Sequence, residues 1–312
     1  MAESVAQKLI AEKAGVSRTT VSVVLNNKST PVISEKTRRR VLKVAKSMGY
    51  RQRPKISFAT GTQNIGVFMS RGLAGVLADP FYGPIFEGIQ EEAAVNNFHL
   101  ILASPDSRSA RGGPSILAQH KCDGCLIIGP VRDRMLEAIR ADQSPCVAIA
   151  DCPKDIESVV ADHAKAARLA VEFLNDRGHT DFAYLGGDRT IASAEEQFNA
   201  FRLTLMDLDL ELQKDLMLQV TGDAEGGEQA IDSLSAKLDR FTALICFNDL
   251  TALGAMHQLR ELGKRVPEDI SIIGIGDIPE ARRAGLTTIT ANGDDMGRLA
   301  VKKLLAKISG DD

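Results

Sequence analysis

Leu9-Ile-Ala-Glu-Lys-Ala-Gly-Val-Ser-Arg-Thr-Thr-Val-Ser-Val-Val-Leu-Asn26 reads as two short helices joined by a tight turn. Ile10, Ala11 and Ala14 fall on one face of the first helix, and Gly15 ends it by accepting a left-handed conformation that other residues resist. Ser17 then restarts the chain as the cap of a second helix running from Arg18 to about Asn26. Val21, Val24 and Leu25 turn inward at helical spacing, while Arg18, Thr19, Ser22 and Asn26 face outward. A short polar helix held up by a packed partner is a shape that enters a DNA major groove, its N-terminal residues meeting the base edges.

The alternative is an ordinary helical hairpin within a larger domain, and charge argues against it. Residues 1–53 carry twelve Lys or Arg against three Glu, a net of +9, so the remainder stands at −12 in a chain of net −3. A polycation joined to an acidic body suits a phosphate-binding module on a sensing domain. Ser34 opens a third helical pattern through Ala45, with Val41, Leu42 and Ala45 as its core face and Gly49 as its end. Its start offers Ser34, Lys36 and Thr37 to phosphate.

Residues 51–64, rich in Arg, Gln, Pro, Thr and Gly, read as a linker. Beyond it, seven apolar strands alternate with amphipathic helices: Ile65–Phe68, His99–Ala103, Cys125–Ile128, Cys146–Ile149, Phe182–Leu185, Ala243–Phe247 and Ile270–Ile273. The helices between them are expected over 83–97, 132–141, 162–177, 194–209, 226–238 and 249–262. Such alternation predicts parallel sheets covered on both faces. Seven strands in this length suit two doubly wound lobes, with ligands at the carboxyl ends of the strands in a cleft between them. The expected fold class is thus an N-terminal all-α helix-turn-helix domain (1–53), a hinge (54–63) and an α/β two-lobed body (64–312). Its N-lobe spans about 64–160 plus a C-terminal return, and its C-lobe about 161–290.

At 312 residues and 44% hydrophobic content the chain can fill several cores. It has neither an apolar run of membrane length nor a signal-peptide core, so a cytoplasmic protein is expected. Five cysteines, mostly in apolar strand-like stretches, read as reduced thiols. Cys122 and Cys125 form a C-x-x-C without a second ligand pair or a helix N-terminus, and Asp123-Gly124 reads as a turn into a strand. No metal and no cofactor is expected.

Several motifs in order resemble the LacI/GalR family of bacterial transcriptional regulators over nearly the whole chain. They are Ala14-Gly-Val-Ser17 with Thr20-Val-Ser22 and Asn26, Ser34-Glu-Lys-Thr-Arg38, Leu174-Asn-Asp-Arg-Gly-His179, Phe247-Asn-Asp249, Val266-Pro-Glu-Asp-Ile-Ser-Ile-Ile-Gly274, Leu286-Thr-Thr-Ile289 and Met296-Gly-Arg298. The resemblance implies a homodimer, or a tetramer, on a pseudo-palindromic operator, with an effector in the inter-lobe cleft. By that carry-over Arg18 and Thr19 read base edges, while Ser17, Thr20, Ser22, Asn26, Ser34, Lys36 and Thr37 hold phosphates. Val23 departs from the pattern, standing where well-studied members place a basic reader.

The hinge departs further. Arg51-Gln-Arg-Pro54 through Gly61 is about one residue short, with Phe58 at the position of the minor-groove wedge and Ile56 as its competitor. The other reading is a tether in which Phe58 packs on the lobe. In the cleft, the places where sugar- and purine-binding members use an Arg, an aromatic and an Asp hold Gln197, Ala224 and Gly276 here. Phe81, Tyr82, His163, Gln197, Asn248 and Asp277 are the remaining candidates for a sugar, a sugar derivative or another small polar metabolite. For Asn248 and Asp277 a helix cap and a strand-ending turn are the structural alternatives.

Two other classes are weighed. A transport-type sugar-binding protein would share the two lobes and lack the basic head. An enzyme on a doubly wound fold is expected to show a G-x-G-x-x-G, a P-loop, a G-x-S-x-G or a clustered ligand set, and none is legible; no catalytic residue is assigned.

Overall fold

Ile65, Val67, Phe68 and Met69 are all buried, so the strand they form, β1 (Asn64–Met69), is covered on both faces, as a central parallel strand must be. The computed structural model describes residues 9–25, 33–47, 61–69, 79–103, 121–129 and 133–310. These fall in two units, the head helices within residues 9–47 and a body from Thr62 to Leu305.

The head holds a helix through residues 9–14 (α1), then α2 (Arg18–Leu25) and α3 (Glu35–Ser47). Ile10, Ala11, Ala14, Val21, Val24, Val41 and Ala45 form its core, with Val44 packed against them. Leu42, expected in that core, is exposed. Each residue advances about 100° around a helix, so a stripe through Val41, Val44 and Ala45 leaves Leu42 outside it.

The body contains two five-stranded sheets in which every pairing is parallel. The first has the order β2-β1-β3-β4-β5, built from β1, β2 (His99–Ala103), β3 (Gly124–Ile128), β4 (Cys146–Ile149) and β5 (Ser158–Val159). The second is β10-β9-β8-β6-β7, from β6 (Phe182–Gly186), β7 (Met217–Gln219), β8 (Ala243–Cys246), β9 (Ser271–Gly276) and β10 (Thr287–Thr290). Read from the other edge, the second order repeats the first, so each sheet reverses direction beside its first strand.

Among the described residues, eight α-helices complete the body: α4 (Tyr82–Val95), α5 (Asp133–Asp142), α6 (His163–Asn175), α7 (Ala192–Asp207), α8 (Ala224–Leu234), α9 (Asp249–Glu261), α10 (Pro279–Ala284) and α11 (Gly293–Ser309). All seven expected strands and six expected helices are present. The strands β5, β7 and β10 were not anticipated, because the first two have two and three residues and the third, Thr-Thr-Ile-Thr, is a polar edge. Helices α10 and α11 were also missed, the latter although Ala300, Val301, Leu304, Leu305 and Ile308 bury a helical stripe.

The chain crosses from the first lobe to the second after β5, where Ala166, Ala167, Ala170 and Val171 of α6 become buried and α6 joins the core of the second sheet. It returns after β10. There α11 crosses α4 so closely that a Cβ on Gly297 would lie 2.1 Å from the Ile85 carbonyl oxygen, and one on Gly88 2.0 Å from that of Asp294. Arg298 ties α11 to α4 through Glu91 and pairs with Asp294 within its own helix, and Lys303 reaches Glu157 near β5.

Candidate functional site

Helices α2 and α3 of the head open with the same device. Ser17 Oγ accepts the Thr20 N–H at 3.0 Å and Ser34 Oγ accepts the Thr37 N–H at 3.3 Å, while the paired hydroxyls lie 2.9 and 3.0 Å apart. Such caps leave each hydroxyl further hydrogen-bonding capacity at a positive helix end, where an anion is favoured. Gly15 has φ +60, and Val16 N–H donates to the Ala11 carbonyl at 3.1 Å, so the turn between α1 and α2 is closed by backbone alone. Arg18 and Thr19 are exposed beside Ser17, as is Lys36 on α3. The side chain of Ser22, and Asn26, Ile56 and Phe58 entirely, lie outside the described residues.

The body has a cleft of about 500 Å³ lined from both lobes. It sits where the strands end: Ala150 follows β4, Phe247 and Asn248 follow β8, Ile278 follows β9, and Ala291 follows β10. The two crossing segments contribute Ala161 and Asp162 on one side and Asn292 on the other. Of the six sequence candidates, Phe81, Tyr82, His163, Gln197 and Asn248 line this cleft, and Asp277 does not. The Asp277 carboxylate instead accepts the Arg282 Nε–H at 2.8 Å, and that guanidinium holds its pKa below the usual carboxylate range.

The side chains brought together are not equally available. Gln197, only 2% exposed, accepts the Tyr184 hydroxyl at 3.2 Å through Oε1 and donates Nε2–H to the Phe247 carbonyl at 3.3 Å. Asn248 caps α9 by accepting the Thr251 N–H at 2.8 Å, and its Nδ2 donates to the Gly222 carbonyl at 2.9 Å. Both amides therefore brace the second lobe. His163 makes no such bond, and burial pushes its imidazole below the ordinary range despite Glu196 and Asp162 nearby; it offers one donor and one acceptor as a neutral ring. Phe81 and Tyr82 meet edge to face, their centroids 5.2 Å apart.

Sequence reasoning missed Asp79, Lys165, Ser193 and Asn292, all of which line the cleft. Lys165, Ser193 and Asn292 stand at or just inside the start of a helix that follows a strand end, and Asp79 lies shortly before α4, so recognising β10 would have pointed to Asn292. Asp249 was also missed. Its carboxylate, 1% exposed, accepts the Thr288 hydroxyl and the Ile278 N–H, the latter at 2.9 Å, and burial raises its pKa. Away from the cleft, Cys125 lies wholly inside β3, and burial pushes the Cys122 thiol up to about 11; neither thiol is an activated nucleophile.

Residues 8–52 match the family described as bacterial regulatory proteins, lacI family, and residues 171–312 match a periplasmic binding protein-like domain. The HTH-type transcriptional regulator DegA of Bacillus subtilis (strain 168) is 32% identical over 302 residues, spanning 92% of this chain and 87% of its own. The HTH-type transcriptional repressor PurR of Vibrio vulnificus (strain CMCP6) is 28% identical over 318 residues, with coverages of 96% and 91%. Among solved structures, a transcriptional regulator CelR in complex with cellobiose superposes with a TM-score of 0.73 at 25% identity, over 98% of this chain and 94% of that one.

Proposed function

Since the chain belongs to the lacI family of bacterial regulatory proteins, we propose that it is a sequence-specific transcriptional repressor whose grip on operator DNA is set by a small molecule in the cleft. The observation that carries this reading is one chain joining a capped, basic helix pair to a body with a cleft lined from both lobes. Arg18 and Thr19 read base edges, Arg18 by the bidentate geometry a guanidinium offers to guanine. Ser17, Thr20, Ser34, Lys36 and Thr37 hold phosphates, as do Ser22 and Asn26, which are assigned from sequence alone. Ile56 or Phe58 enters the minor groove when two hinges meet.

Two copies act together on a two-fold operator, which places equal and opposite demands on both heads. An effector bound across the cleft changes the balance between lobe arrangements, and with it the spacing of the paired heads. Only a ligand with different affinity for the two arrangements can do this. Asp162 and Asn292, on the two crossing segments, are placed to sense that change.

A gel shift with the full chain on DNA upstream of its own reading frame, repeated as salt is raised, tests the proposal. Binding is expected to weaken steeply with salt. Arg18→Ala is expected to relax sequence preference, and Lys36→Ala to weaken all sequences alike. Failure to bind any DNA at low salt rules the repressor reading out. Sedimentation of the DNA-bound complex counts the copies.

A further inference from the structure

Resting on the reading of the head as an operator binder, we infer that Asp123 is a positioning residue for DNA: it clamps the first residues of the body and so sets the point and direction from which the linker leaves it. The chain divides into its two units between Gly61 and Thr62. The pairing of β1 with β3 begins at Ile65 opposite Gly124, so that ladder leaves Thr62 and Gln63 outside it. Asp123 reaches past its end. Its Oδ1 accepts the Thr62 N–H and the Thr62 hydroxyl, both at 2.8 Å, and its Oδ2 accepts the Gln63 N–H at 2.9 Å. From the β2 side the His99 N–H donates to the Gln63 carbonyl at 2.8 Å, and Asp123 gives its own N–H to the Asn64 carbonyl at 2.9 Å.

Two features set this node apart from the frayed end of a strand. Gln63 has φ +54, a left-handed conformation that a residue with a Cβ resists, and it turns the chain at the mouth of β1. Such a backbone persists only where its surroundings over-determine it, and two consecutive N–H groups held by one carboxylate do so. The second feature is burial. Asp123 is 4% exposed although Thr62 and Gln63 are exposed, and a carboxylate is costly to bury where a neutral residue would continue the strand. Three charge-assisted donors offset that cost and fix direction. Direction matters to what lies before the clamp: two heads on a two-fold operator must arrive at the spacing of its half-sites. Each residue loosened at the root and ordered again on the operator costs about tenfold in affinity. Non-specific binding, carried by phosphate contacts, makes no such demand on spacing.

The test uses the full chain with a duplex that the wild type selects from a random library, set beside a scrambled duplex of equal length and composition. Asp123→Ala removes the acceptor. Gln63→Pro breaks the clamp from its exposed side, because proline has no N–H and holds φ near about −65°. Gln63→Gly keeps the N–H and accepts the positive φ at little cost. Gel shifts are run at one salt concentration, with protein corrected for the folded fraction read from thermal melts. Asp123→Ala and Gln63→Pro are expected to bind the selected duplex at least about tenfold more weakly and the scrambled one within about twofold of wild type, with Gln63→Gly close to wild type on both. If Gln63→Pro loses affinity equally on both duplexes or on neither, the role of Asp123 is overturned and the operator reading stands; a Gln63→Gly variant as weak as Gln63→Pro has the same meaning. Should Asp123→Ala fail to fold, Gln63→Pro decides alone. If the wild type selects no duplex, the operator reading itself falls and takes the clamp's function with it.

Discussion

Asp249 has almost no contact with solvent, and two donors, the Thr288 hydroxyl and the Ile278 N–H, end on its carboxylate. Replacing it with Ala strands both donors, each at a cost of about 1–3 kcal/mol. Asp249→Ala is therefore expected to lower the unfolding midpoint of the body in calorimetry, with Asp249→Asn less damaging. Burial raises its pKa, so the folded state holds the proton more tightly than the unfolded chain does. Its contribution to stability is fullest below the ordinary value of 3.8 and is lost as pH rises through the raised one. Asp215 and Asp269 behave oppositely. Arg240 and Arg265 hold them down to about 2, so their support is present above 3.8 and is lost as pH falls toward 2. A D215N/D269N variant is expected to show a shallower acid unfolding profile at low salt, and the difference is expected to shrink at high salt.

At the scale of elements, the α4–α11 crossing and the two head caps carry the sharpest expectations. Gly297→Ala puts a methyl 2.1 Å from the Ile85 carbonyl oxygen, which is backbone and cannot turn aside. Overpacking of this kind costs about 1–3 kcal/mol, so the variant is expected to unfold earlier by thermal denaturation. A substitution at the exposed, positive-φ Gly178 strains only its local turn and should cost less. In the head, Ser34→Ala removes the Thr37 cap and is expected to cost about 1 kcal/mol of stability, read by the melting of α3. If Ser34 also holds phosphate, DNA affinity will fall by more than that loss explains. The long, regular elements other than α11 were legible from their periodicity, whereas β5, β7 and β10 were not. Strands of two or three residues, or polar edge strands, bury too little to print a pattern.

For the whole molecule, the division of charge dictates how it meets DNA. A head of +9 on a body of −12 binds phosphate with one end and repels it with the other, so affinity should fall linearly in log salt. A ligand that binds only the folded body stabilises it by about 2.7 kcal/mol at a hundred times its Kd, a shift calorimetry can resolve. The helix-turn-helix, the parallel α/β body and the split of charge were all written in the sequence, because local periodicity, Gly15, Ser17 and the Lys and Arg count act over short stretches. Which polar side chains of the cleft are free was decided only by the tertiary structure. Gln197 is spent on Tyr184 and Phe247, Asn248 on Gly222, and Asp249 on Thr288. Each of these bonds joins residues from different elements, and a hydrogen bond is allocated by where the folded backbone puts its two ends.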